Sequence, residues 1–238
     1  MRDAWCVFRG ACSVFRGFRC GKALYVLGLI SVVVGYLGPW VPHKTAALTV
    51  TGLELAEFAK FFPQVQGGGI AIARELFYLP LVAACVLAAL FAGRSTVRWV
   101  RLVVPLLVAG LLLVALLPYS IVNGLRQALA ARSSVVLDPQ YVGQLRLVVV
   151  GAALILLAPL ARRLPARLQG VLVALLALAG ALPALWQFAR LRPLVAALYA
   201  RPLGLGWGLI ACAAGFAVLL VWGLLALIWQ TRLPNART

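Results

Sequence analysis

The sequence predicts an all-α fold: a polytopic membrane helix bundle of about six transmembrane helices, with amphipathic helices in its outer loops. Three observations carry this. Hydrophobic residues make up 64% of the chain and charged residues 11%, against about 25% charged in an ordinary soluble domain. Six apolar runs, at about 23–41, 76–93, 102–119, 143–161, 168–188 and 207–229, each reach the roughly 18 residues that a bilayer-crossing helix needs. The arginines sit between these runs, where they anchor helix ends to headgroups. This placement also reads the net charge of +17 as a membrane feature and argues against nucleic acid as a partner.

Residues 1–22, MRDAWCVFRGACSVFRGFRCGK, form a basic N-terminal segment with VFRG repeated at 7–10 and 14–17. Phe8 and Phe15 are seven apart, beside Trp5 and Phe18, as in a helix lying among headgroups. The glycines in it weaken that helix. Run one lacks a following A-x-A cleavage pattern and reads as a retained signal anchor. Cys6, Cys12 and Cys20 are separated by five and seven residues, which matches no usual zinc spacing. Cys85 and Cys212 lie within apolar runs and read as small hydrophobes. No cofactor or metal is expected.

The first outer loop holds 48-LTVTGLELAEFAKFFPQVQGGG-69. Thr51 followed by Glu54 is a capping box, each side chain serving the other residue's free amide. Leu55, Phe58 and Phe62 then recur at helical spacing, with Ala59 on the edge of their stripe. Glu57, Lys60 and Gln64 fall on the opposite side, and Glu57 can pair with Lys60 at i,i+3. Pro63 and the Gly67–Gly69 run are expected to end the element, which would lie on the outer leaflet or against the bundle.

Run two follows, then a short loop to run three and a middle outer loop in which 123–134 can form a helix. Run four carries Gln144 and Arg146 in its first turn, from which Arg146 can snorkel. A third outer segment, 190-RLRPLVAALYARP-202, places Leu191, Leu194, Val195 and Leu198 on one helical face. Residues 230–238 form a short C-terminal tail. Aromatic residues near run ends (Trp40, Tyr78, Trp99, Tyr119, Tyr141, Trp186, Trp207 and Trp229) read as interfacial belts.

With both termini cytoplasmic, thirteen Lys and Arg residues lie inside and nine outside, as the positive-inside rule prefers. Five of the thirteen belong to residues 1–22, so the orientation rests on that segment. The expected location is therefore the cell inner (plasma) membrane. The run GPWVPHKTAALTVTGLELAEFAKFFP, with RELFYLP at 74–80, resembles uncharacterised bacterial multipass inner-membrane proteins with a similar first outer loop. The resemblance covers runs one and two. It implies a multipass fold and carries over no activity and no functional residue.

No Asp, Glu, Lys, Arg or His occupies the central part of any run. A proton-driven transporter ordinarily needs such a group at mid-depth, which argues against that class. One histidine cannot build a His-rich metal site, and no G-x-S-x-G, Walker or H-E-x-x-H pattern occurs. Prolines 80, 105, 118, 159 and 183 punctuate the spans, and Gly110, Gly151, Gly180 and Gly215 read as close-packing positions.

Candidate functional groups are confined to the outer face: His43, Glu54, Glu57, Lys60, Arg74 and Glu75. The reading favoured by these observations is a non-enzymatic accessory or partner-binding membrane component. Its partners would be the lipid bilayer and another membrane protein. Two alternatives stand beside it: a permease-like subunit for a neutral or lipid-like substrate, and a membrane enzyme acting on lipid at the outer face. In the last case Glu54 and Glu57 would share a cation or a proton.

Overall fold

The structure, a computed structural model, describes residues 18–42, 49–67, 69–117, 121–124, 126, 139–199 and 202–231. The chain is an all-α helical bundle. Its long helices are α1 (Phe18–Leu37), α4 (Leu79–Gly93), α5 (Arg98–Leu116), α6 (Pro139–Leu157), α7 (Ala166–Leu198) and α8 (Trp207–Thr231). Between α1 and α4 lie strands β1 (Pro39–Val41) and β2 (Val50–Thr51) and the short helices α2 (Leu55–Phe58) and α3 (Pro63–Gln66). Five described segments are long and apolar enough to cross a bilayer: Arg74–Gly93, Arg98–Leu116, Tyr141–Arg163, Ala166–Leu198 and Trp207–Ile228. The chain is therefore membrane-embedded. Gly21–Leu37 is apolar but shorter.

Each span persists as helix because lipid offers its backbone no hydrogen-bonding partner. α4 reaches spanning length only with the 3-10 turn Arg74–Tyr78 that precedes it. It occupies the centre, packed against α1, α5, α6 and α7. α8 lies between α1 and α7, while α5 and α6 pair on the other flank. The faces of α5 and α6 turned away from α4 remain exposed, including Leu106, Leu107, Val114, Val149 and Val150, as lipid contact requires.

Small residues set the closest approaches. A Cβ at Gly215 would lie 2.7 Å from the Gly28 carbonyl oxygen, and one at Gly223 would lie 2.8 Å from the Gly170 oxygen. The backbones of α1, α8 and α7 thus touch, the packing mode of membrane helices that gain little from apolar burial. Gly151 and Gly180 are also close-packing positions, against Val82 and against Ala83 with Phe216. Gly110 is not, because its Cβ position faces open space.

Polar groups on α1 find backbone carbonyls on its neighbours. Tyr25 Oη donates to Leu87 O at 2.9 Å, Tyr36 Oη to Phe77 O at 3.0 Å, and Ser31 Oγ to Ala211 O at 2.8 Å. Two tyrosines thereby stitch α1 to the α4 segment. Gln187 differs. It is 5% exposed, and its Oε1 has no hydrogen-bond partner among the described residues. An unpaired buried acceptor costs about 1–3 kcal/mol, so Gln187→Leu is expected to raise the thermal unfolding midpoint in detergent by a few degrees. A lowered midpoint would show that the amide is satisfied.

Four further sequence expectations need correction. Run one does not continue as helix to residue 41: α1 stops at Leu37, and Pro39–Val41 pairs antiparallel with Val50–Thr51 across a register irregularity. Pro39 cannot donate to the helical ladder, and Gly38 before it favours the break. Residues 190–198 are not a separate helix but the end of α7, whose 33 residues extend roughly 50 Å, well beyond a hydrocarbon core of about 30 Å. Pro63 ends the first loop helix as expected, with Phe62 before it extended at ψ 120°, but it also starts α3, so the loop holds two short helices and not one. Finally, Trp40 and Tyr78 are buried inside the protein and not in a lipid belt, whereas Trp99, Trp186 and Trp207 are exposed.

Run four holds as helix α6. Arg146 is exposed there, and Gln144 Nε2 donates to Leu116 O at 2.6 Å, serving a carbonyl that the end of α5 leaves free. Cys6, Cys12, the VFRG repeats, Tyr119, most of 123–134 and residues 232–238 lie outside the described residues.

Candidate functional site

The ribbon end of the bundle gathers the sequence candidates. β1 and β2 fold the chain back on α1, with Gly52 N–H donating to Tyr36 O at 3.0 Å. The capping box then forms as its residues dictate. Glu54 Oε2 accepts from Thr51 N–H at 2.9 Å, and Thr51 Oγ1 accepts from Glu54 N–H at 3.3 Å. Leu55, Ala56, Ala59 and Phe62 are buried against the bundle, so the loop is docked on the protein.

Docking places Glu57 and Lys60 over the starts of two other elements. Lys60 Nζ forms an ion pair with Glu57 Oε2, and the same ammonium stands 4.9 Å from the centroid of the Tyr141 ring on α6. Tyr78 Oη donates to Glu57 Oε1 at 3.4 Å. Lys60 is 23% exposed and Glu57 52%. One lysine thus ties the first loop to α6, and one carboxylate ties it to α4. Gln66 Nε2 donates to Lys60 O at 2.7 Å, which folds α3 back over the same point.

Beside this pair, Arg74, Glu75, Tyr78 and Gln144 line a shallow open cleft. The Glu75 carboxylate lies against the α6 backbone, where a Cβ at Gly143 would come within 3.1 Å of Glu75 Oε1. Gly143 therefore lets the acidic side chain settle between the two helices. His43 lies outside the described residues.

Glu54, Glu57 and Lys60 are engaged in fastening. Glu54 serves its own helix start, and Glu57 serves Lys60 and Tyr78, so the two carboxylates have different partners and do not face a shared proton or cation. Among the described residues no three of His, Cys, Asp and Glu come together as a metal site. The ammonium of Lys60 is shared by a carboxylate and an aromatic face, an arrangement that holds a cation in place.

Sequence reasoning assigned Tyr78 and Tyr141 to lipid belts and Gln144 to a helix start. Tyr78 and Tyr141 belong to this network, and Gln144 lines the cleft beside it. Tyr141 and Gln144 stand three apart at the start of α6, a helical spacing that put both on one side, but nothing in the sequence named Lys60 or Leu116 as their partners.

Because the Glu57–Lys60 pair is partly exposed, it contributes about 1 kcal/mol or less. Glu57→Gln is expected to leave the protein folded and to lower its thermal midpoint by only a few degrees. A collapse of folded protein would mean that Glu57 holds more than the loop. No protein-family model, curated protein or solved structure matches this chain.

Proposed function

We propose that the chain is a multipass component of the cell inner membrane, with both termini cytoplasmic and the ribbon end outside, that acts by holding a partner membrane protein. The supporting observation is at the ribbon end. Its charged groups are used to fix the loop rigidly on α4 and α6, while Phe61, next to the Lys60 fastener, stands 77% exposed. An aromatic side chain on a rigid support is the kind of residue that anchors an interface, since little ordering entropy opposes binding.

The permease reading is less well supported because α4, the helix a central route would follow, is buried along nearly its whole length. The lipid-enzyme reading is less well supported because Glu54 and Glu57, its paired carboxylates, are each committed to separate partners. Purification of the full chain from native membranes in a mild non-ionic detergent tests the proposal. The expected result is a stoichiometric membrane-protein partner that is retained by the wild type and reduced about tenfold by Phe61→Ala, a hot-spot loss of about 1.4 kcal/mol. A monomeric particle that never retains a partner would overturn it.

A further inference from the structure

We propose that the end of the bundle opposite the β ribbon carries a binding site for the phosphate of an anionic phospholipid, seated where α4, the turn Ala158–Arg163 and the start of α7 meet. A shallow open cleft lies there, lined by the polar side chains of Arg94, Arg162 and Gln169 and by Leu90, Leu172 and Val173, of which Leu90 and Val173 are buried. Two guanidinium groups over an apolar floor match a headgroup phosphate with acyl chains beneath it. Guanidinium is also the side chain best shaped for a phosphate.

The rim is held in place by contacts that leave the cleft open. Arg94 lies over the Trp222 ring, 4.9 Å from its centroid. Trp222 is itself fixed, its Nε1 donating to Gly21 O at 2.8 Å and its ring packed edge-on against Tyr25. Gln169 Nε2 donates to both Ala161 O at 3.1 Å and Leu164 O at 3.0 Å, which fastens the turn bearing Arg162 to α7. Gly93 meets the same turn, since a Cβ there would lie 3.1 Å from Pro159 Cα.

Charge balance points the same way. Among the described residues, Arg94, Arg98, Arg101, Arg162 and Arg163 belong to this end, while Glu54, Glu57 and Glu75 lie at the other end. The two remaining acidic residues, Asp3 and Asp138, lie outside the described residues. A cluster of guanidinium groups with so few carboxylates draws its counter-charge from its surroundings, and at a membrane surface these are lipid phosphates. Leu168, Leu172 and Leu175 share one face of α7 at i, i+4 and i+7, and Leu168 and Leu175 are exposed. They form a lane along which an acyl chain can lie. A soluble phosphate would use the arginines but not the lane.

Native mass spectrometry of the full chain released from detergent, with phosphatidylglycerol or phosphatidylcholine added, tests the site. The expected result is preferential retention of phosphatidylglycerol, reduced about tenfold by Arg94→Gln with Arg162→Gln through loss of two charge-assisted contacts. Arg98→Gln with Arg163→Gln removes the same charge from the same end outside the cleft and is expected to retain the lipid. If the cleft double variant does not fold, Arg162→Gln alone, at an exposed position, is expected to lose about threefold. Equal retention of the two lipids, or equal loss in both double variants, would overturn the site. Millimolar inorganic phosphate is expected to leave the bound lipid in place. Its displacement would assign the cleft to a soluble phosphate and overturn the lipid reading.

Discussion

Gly35→Leu is expected to abolish the folded bundle, or to destabilise it by about 3 kcal/mol or more, because overpacking here falls on backbone atoms. A Cβ at Gly35 would sit on the amide nitrogen of Cys212 and only 2.7 Å from the Gly208 carbonyl oxygen. Side chains can change rotamer to relieve a clash, but two helix backbones in contact must separate. Separation would undo the neighbouring contacts of the seam, including the Ser31–Ala211 hydrogen bond and the approach of Gly215 to Gly28. Gly110→Leu is the matched control, since nothing lies within 4 Å of that Cβ position. Size-exclusion chromatography with a thermal melt in detergent reads both. The expected pair of outcomes is loss of the monodisperse peak for Gly35→Leu and an unchanged melt for Gly110→Leu.

Trp40→Ala is expected to be the second severe change, costing about 3–5 kcal/mol as large aromatic deletions in cores do. Trp40 is 1% exposed. Its ring meets Tyr36 and Phe188 edge-on, at 6.2 and 5.7 Å between centroids, and its Nε1 donates to Gly35 O at 3.1 Å. Its carbonyl also accepts from Gly206 N–H at 3.0 Å, which holds the approach to α8. Removing the ring leaves a hole where α1, β1 and α7 meet. Trp40→Phe keeps most of the packing and is expected to cost about 1 kcal/mol, the worth of a typical hydrogen bond. Trp99→Ala, at a position 75% exposed, is expected to leave the melt nearly unchanged.

The contrast between Trp40 and Trp99 shows what a sequence can carry here. Both stand at the end of an apolar run, and run-end aromatics look alike in one dimension. Length and hydropathy locate the spans because lipid thickness and helical rise are fixed quantities. They say less about where a helix stops beyond the lipid. Residues 190–198 follow the same helical period whether they form a new helix or prolong α7, and only the docking of Leu191 and Val195 distinguishes the two. Arg192, whose Nη2 donates to Leu203 O at 2.7 Å, then fixes the following turn.

The candidate site divides in the same manner. Thr51–Glu54 and Glu57–Lys60 were legible because their partners are three residues apart. Tyr78 with Glu57 and Tyr141 with Lys60 were not, since those partners come from separate elements brought together by tertiary packing. Glycine shows the complementary limit. Gly110 and Gly215 are both glycines within apolar helices, yet one faces open space and the other a backbone. Periodicity names a face without naming its neighbour.

Among the described residues no Asp, Glu, Lys, Arg or His lies at the middle of a membrane-spanning helix, and the native cysteines report directly on whether water enters there. Cys85 on α4 and Cys212 on α8 are free and buried. With Cys6, Cys12 and Cys20 replaced by serine, the folded protein in liposomes can be treated with a charged, water-soluble thiol reagent and compared with the unfolded chain. The expected result is no modification of Cys85 or Cys212 while folded and complete modification of both on unfolding. Modification of either thiol in the folded protein would reveal a water-filled passage through the bundle and contradict the account.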